Sequence, residues 1–152
     1  MIFNGLRNQS LDFKIIDYEI PENFGPSCES NYLYIELKIK SEFGNWFTDG
    51  CAISTTDIEK IINWFFLLKQ NKPVVSLLNF KEKGISFELL KSSHTIKQIR
   101  ILFYSECTPE NQNHIKPYYI DLEQNNMGLN DIYESLQKEL NAFPTRGFEE
   151  KD

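Results

Sequence analysis

The residues best suited to chemistry are few and scattered. The chain has two histidines, His94 and His114, in 152 residues. His94 falls in a predicted hairpin turn and His114 in a polar loop, positions where an exposed, idle imidazole is the ordinary reading. Neither begins a metal-binding spacing: the sequence holds no His-x-x-x-His, no Cys-x-x-Cys and no EF-hand loop. No serine sits in Gly-x-Ser-x-Gly, and the 7 glycines are too dispersed to cradle a phosphate. Carboxylates are abundant, but a general acid needs burial to raise its pKa, and most fall on the polar phase of strands or in loops. Asp17 is the exception, inside an apolar strand, where a salt bridge or loop hydrogen bond is the expected role. No catalytic residue, metal site or cofactor is therefore assigned, and the one enzymatic reading left is a site assembled from distant carboxylates.

The totals agree with a binding protein. Hydrophobic residues make up 41% and aromatics 14%, enough for one packed core, so a single domain is expected with its core over about 12–146 and a solvated tail from Arg146 onward. Lys and Arg total 16 against 22 Asp and Glu, a formal charge of -6. That sign disfavours nucleic-acid backbones and would steer a basic partner toward the surface. The first ten residues carry no secretory pattern, and the apolar-rich stretch Ile58 to Leu68 is broken by charges and too short for a bilayer. No membrane association and a cytoplasmic location are expected. Cys28, Cys51 and Cys107 are odd in number and widely spaced, and are read as free thiols in a reducing compartment.

The periodicity predicts an order β-β-β-α-β-β-β-β-α. Asp12 to Ile20 puts apolar residues on both faces, so it is either buried on both sides or bulged near Ile15. Tyr32 to Lys40 is the clearest strand: Leu33, Ile35, Leu37 and Ile39 alternate with Tyr34, Glu36, Lys38 and Lys40, leaving one face wet. Gly44 and Asn45 supply a turn into Trp46 to Ile53. Thr56 with Glu59 suggests a capping box opening a helix whose buried stripe is Ile58, Ile61, Ile62, Phe65 and Leu68. Trp64, Phe66 and Leu67 widen that stripe, so the helix either sits deep or exposes a sticky edge. Extended segments follow at Val74 to Phe80, Ile85 to Leu90, Ile96 to Ser105 and Tyr118 to Leu122. Asn130 is the expected cap of a second helix from Asp131 to Phe143. The fold class expected is α+β, one antiparallel sheet of six to seven strands with two helices packed against it.

Several of these segments carry a family resemblance. The strand Asn31-Tyr32-Leu33-Tyr34-Ile35-Glu36-Leu37-Lys38-Ile39-Lys40 leads to Gly44-Asn45-Trp46, Thr48-Asp49 and a helix with Ile61 and Trp64. Asn79-Phe80, Ile85-Ser86-Phe87-Glu88 and a last helix with Leu136, Leu140, Phe143-Pro144 and Arg146 complete the pattern. Together they resemble the WapI-type bacterial immunity proteins from about Asp12 to Arg146. The resemblance implies a cytosolic antidote that binds a cognate polymorphic toxin domain, with no catalytic residue or cofactor to carry over. An acidic antidote would suit a basic nuclease toxin, because complementary fields speed encounter.

Interface anchors tend to be aromatic with charge at the rim. The candidate contact residues are therefore Tyr32, Tyr34 and Glu36 on the wet strand face, with Glu22 and Glu29 in the preceding acidic loop. A non-catalytic adaptor for an endogenous protein is the alternative reading.

Overall fold

The structure, a computed structural model, describes residues 1–20, 28–109 and 118–146. Its strands form two antiparallel sheets where the sequence suggested one. The first sheet comprises β1 (Ile2–Asn4), β2 (Ser10–Tyr18), β3 (Tyr32–Ser41), β4 (Gly44–Thr48) and β5 (Ala52–Ser54), in the order β1-β2-β3-β4 with β5 also paired to β3. After the helix α1 (Thr55–Lys69), the second sheet runs β6 (Leu77–Leu78), β7 (Ile85–Ser92), β8 (Ile96–Phe103) and β9 (Tyr118–Asn125). The helix α2 (Asn126–Asn141) follows β9 directly. The α+β class holds, but alternation along a strand reports which residues face inward, not which sheet the strand joins.

Strand β3 is central, pairing with β2, β4 and β5, and its period-two pattern is unbroken. Leu33, Ile35, Leu37 and Ile39 are all buried. The register of β2 against β3 shifts between Ile15 and Asp17. That bulge resolves the mixed faces of β2: Phe13 and Ile15 stay buried while Asp17 turns outward. Asp17 accepts the Tyr18 N–H at 2.8 Å, the local hydrogen bond expected of it. Between β3 and β4 the turn residues are Glu42 and Phe43, and Gly44 follows at φ 116°, a backbone region that disfavours a side chain.

Helix α1 starts two residues earlier than expected. Ser54 Oγ accepts from Asp57 N, and Asp57 Oδ2 accepts from Ser54 N, both at 3.1 Å. Ser54, not Thr56, is thus the cap residue, an arrangement that contributes about 1 kcal/mol. The helix ends with Asn71 in the left-handed region at φ 55°. There Asn71 N donates to Leu68 O and Lys72 N to Leu67 O, so two orphan carbonyls find donors. Asn71 Oδ1 also accepts from Lys97 Nζ at 2.6 Å, and the same ammonium donates to Ser93 O. Lys97, in phase with buried Ile99 and Ile101 on β8, thereby ties the end of α1 to the β7–β8 hairpin.

Helix α2 also begins early. Asn125 Oδ1 accepts from Gly128 N at 2.9 Å, so Asn125, not the expected Asn130, is the cap residue. Arg146, expected as the first residue of a solvated tail, is anchored instead. Its guanidinium lies 3.5 Å over the Tyr18 ring and donates to Ile20 O at 2.6 Å.

The inner faces of both sheets and the buried sides of both helices share one core. Phe3 of β1, Phe65 of α1 and Phe87 of β7 meet in a triangle with ring centroids 5.9–6.2 Å apart. Burying each such ring contributes about 1.5–3 kcal/mol.

Cys51 and Cys107 correct the expectation of free thiols. They are joined by a disulfide with Cα atoms 5.3 Å apart, across 56 residues of sequence. Trp46 Nε1 donating to Cys107 O at 3.0 Å, and Thr48 Oγ1 to Glu106 O at 2.7 Å, hold the same two segments together. The expectation failed because spacing along the chain says nothing of this meeting between sheets. Three cysteines less the pair leave one thiol, so the protein unfolded without reductant should titrate with one thiol reagent, and with three after reduction. Three without reduction would contradict the pairing.

Candidate functional site

Strand phase places Tyr34, Glu36, Lys38 and Lys40 on the outer face of the first sheet. Across that face, Ile2 of β1 stands opposite Asp12, Asp12 opposite Lys38, and Lys38 opposite Phe47. The next rows pair Lys14 with Glu36 and Asp17 with Tyr34. The two middle rows each pair opposite charges, so net charge remains at the ends of the face: Asp17 and Asp49 beside Tyr34 at one, Lys40 at the other.

Of the expected contact residues, Tyr34 and Glu36 share this face, Tyr34 exposed and Glu36 half-buried. Tyr32 is half-buried opposite Ser54 of β5. Glu29 falls in the 3-10 turn Cys28–Asn31, its side chain outside the described residues, and Glu22 lies outside them altogether. Sequence reasoning missed Ile2 and Phe47, which are 56% and 51% exposed on the same face. The signal for Phe47 was its phase opposite to Trp46; for Ile2 there was none, since β1 is only three residues long.

The Tyr34 hydroxyl donates to Asp49 Oδ2 at 2.8 Å. This bond, reinforced by the charges of Asp49 and Glu36, holds the phenol above its ordinary pKa. The shift favours the neutral form, so the contribution of the pair to stability is present at neutral pH and vanishes as pH rises through the raised pKa. Asp49→Asn should move the Tyr34 titration back down, read by NMR across an alkaline pH series. An unchanged midpoint would deny Asp49 that role.

The outer face of the second sheet is built around Arg100. Its Nε and Nη2 donate to the two Asp121 carboxylate oxygens at 2.8 and 3.0 Å, and its guanidinium stacks 3.8 Å over Tyr119. The hydrogen bonds to Asp121 hold the guanidinium pKa above its ordinary value. Phe43, at the tip of the β3–β4 turn, meets Tyr119 edge-on at 5.0 Å. These contacts unite distant segments and left no local pattern.

Helix α1 resolves its own ambiguity both ways. Trp64 is buried and donates through Nε1 to Val75 O at 2.9 Å. Phe66 and Leu67 are half-buried at the surface. Phe66 packs against Tyr133 of α2, and Lys69 stands 4.5 Å over that Tyr133 ring while donating to Asn130 Oδ1. An edge of the helix is thus exposed and apolar.

Among the described residues, no group of three or more His, Cys, Asp or Glu is disposed to hold a metal ion. No described helix is long and apolar enough to cross a membrane. His94 is exposed in the β7–β8 turn, and His114 lies outside the described residues.

The fold and its surfaces describe a small α+β domain built to present apolar and aromatic groups among charges. A family model described as the Immunity protein WapI-like family matches residues 1–144, nearly the whole chain. The chain belongs to that family. Membership supports an immunity function, implies a cognate toxin protein as partner, and points to a non-catalytic protein. No curated protein gives a significant match.

Proposed function

We propose that this chain is an antidote that binds one cognate polymorphic toxin domain and neutralises it by occlusion. The family match over residues 1–144 is the observation that carries this reading. A net charge of -6 favours a toxin with a cationic surface, as on a nuclease, because opposite fields accelerate encounter. The acidic end of the first sheet, with Tyr34 and Glu36 beside Asp17 and Asp49, is the steering face; Tyr32 extends it, and Glu22 and Glu29, which precede β3 in sequence, are further proposed contacts. Charges at such a rim act on the association rate and its salt dependence more than on dissociation.

The test is co-expression with the toxin domain encoded by the neighbouring reading frame. The chain should rescue growth and co-purify with that domain. Toxicity undiminished by the well-expressed antidote would refute the proposal. Within it, Glu36→Lys should slow association and flatten its salt dependence; an unchanged salt profile would remove Glu36 from the steering face.

A further inference from the structure

The segment from Pro73 to Leu78 combines three features. It ends in β6, which among the described residues pairs with β7 alone and so leaves a strand edge unpaired. Between this segment and α1 runs an open groove lined chiefly by Trp64, Leu67, Val74, Val75 and Leu78. Val75 and Leu77 stand 60% and 43% exposed beside it. Exposed apolar side chains next to an apolar groove are costly in water and characteristic of a contact surface.

The charges select the occupant. Lys60 is the sole charged residue lining the groove, and Lys72 adjoins its end just before Pro73. No carboxylate lines it. Glu88 stands opposite Leu77 on β7 and is itself opposite Arg100, so on a chain of net charge -6 the groove between α1 and Pro73–Leu78 is a locally cationic, apolar locus. An acidic segment of a partner is repelled by the molecule as a whole and accommodated here, so the locus fixes orientation as well as affinity.

We infer that the α1–β6 groove is the anchoring contact for the cognate toxin, and that it takes an extended apolar segment flanked by carboxylates. The inference rests on the toxin-binding reading and divides the labour of binding. The acidic end of the first sheet steers approach, and the groove retains the bound partner. An extended segment suits the groove because β6 (Leu77–Leu78) leaves one edge open beside it, and a strand lying alongside can pair with that edge while its side chains enter the groove.

The experiment is surface-immobilised binding kinetics with the purified toxin domain from the neighbouring reading frame. Val75→Asp and Leu77→Asp place a carboxylate at exposed positions, and Lys60→Glu with Lys72→Glu reverses the rim. Melting temperatures within 2–3 °C of the parent, as expected for surface changes, establish that each variant is folded. Each apolar variant should raise the dissociation rate at least tenfold and change the association rate less than twofold. The double lysine reversal should weaken affinity by a similar factor.

Groove variants that dissociate like the parent, while the parent binds, overturn the anchoring site and leave the proposed function standing. A parent that binds no toxin overturns both. A parent that runs as a dimer dispersed by Val75→Asp, with toxin dissociation unaltered, assigns the groove to a second copy and overturns the inference.

Discussion

Replacing Phe65 by alanine lowers the free energy of unfolding by about 4 kcal/mol, the range expected for removing a fully buried ring. Phe65 has no exposed surface, and its ring meets Trp64 at 5.3 Å, Phe87 at 5.9 Å and Phe3 at 6.2 Å. Those partners belong to the helix, the second sheet and the first sheet, so the cavity opens where all three layers join. For a domain of this size the loss corresponds to a melting temperature roughly 10 °C lower. Phe66→Ala, at the half-buried neighbour that touches Tyr133, should cost about 1.5 kcal/mol. Thermal or chemical denaturation of the two variants decides the matter. Equal losses would mean that α1 does not bridge the sheets through Phe65.

Lys97 carries the second large effect. Its side chain is 2% exposed, an unusual condition for a lysine, and its ammonium is held by Asn71 Oδ1 and Ser93 O. Lys97→Ala removes the stem from the core and leaves two acceptors without their donor, a loss of about 3 kcal/mol. Lys97→Met keeps most of the stem and loses only the donor, so it should cost about 1–2 kcal/mol. The order matters more than the values: alanine worse than methionine, with an unchanged denaturant slope. A neutral alanine variant would show that the α1 terminus and the β7–β8 hairpin hold together without the ammonium.

Features set by local periodicity were legible in the sequence. The alternation from Leu33 to Ile39 placed β3 and its two faces, the mixed pattern around Ile15 anticipated the bulge, and the helical spacing of Ile58, Ile61, Phe65 and Leu68 placed the buried side of α1. Features that depend on which segments meet were not legible. Nothing local to Cys51 or Cys107 announces their pairing, and nothing in a strand's alternation assigns it to one of two sheets. Helix starts misled for a different reason. Ser54 and Thr56 are both good cap residues, and only the backbone leaving β5 makes Ser54 the acceptor for Asp57 N. Lys97 was legible in principle, since it shares its phase with Ile99 and Ile101, but its charge argued for water.

The candidate surfaces divide in the same way. Tyr34 and Glu36 followed from strand phase. The apolar groove did not, because it forms between α1 and a later extended segment, although the excess width of the α1 stripe hinted at an exposed edge. Asp49 became relevant only through its hydrogen bond to Tyr34.

The proposed immunity function requires that this chain neutralise a toxin by binding it directly. Purified chain titrated calorimetrically into the toxin domain from the neighbouring reading frame tests that requirement, with toxin activity assayed on the same samples. A saturable complex, with activity extinguished at the same stoichiometric point, is the expected result. No heat of binding, with toxin activity untouched at excess antidote, would contradict it.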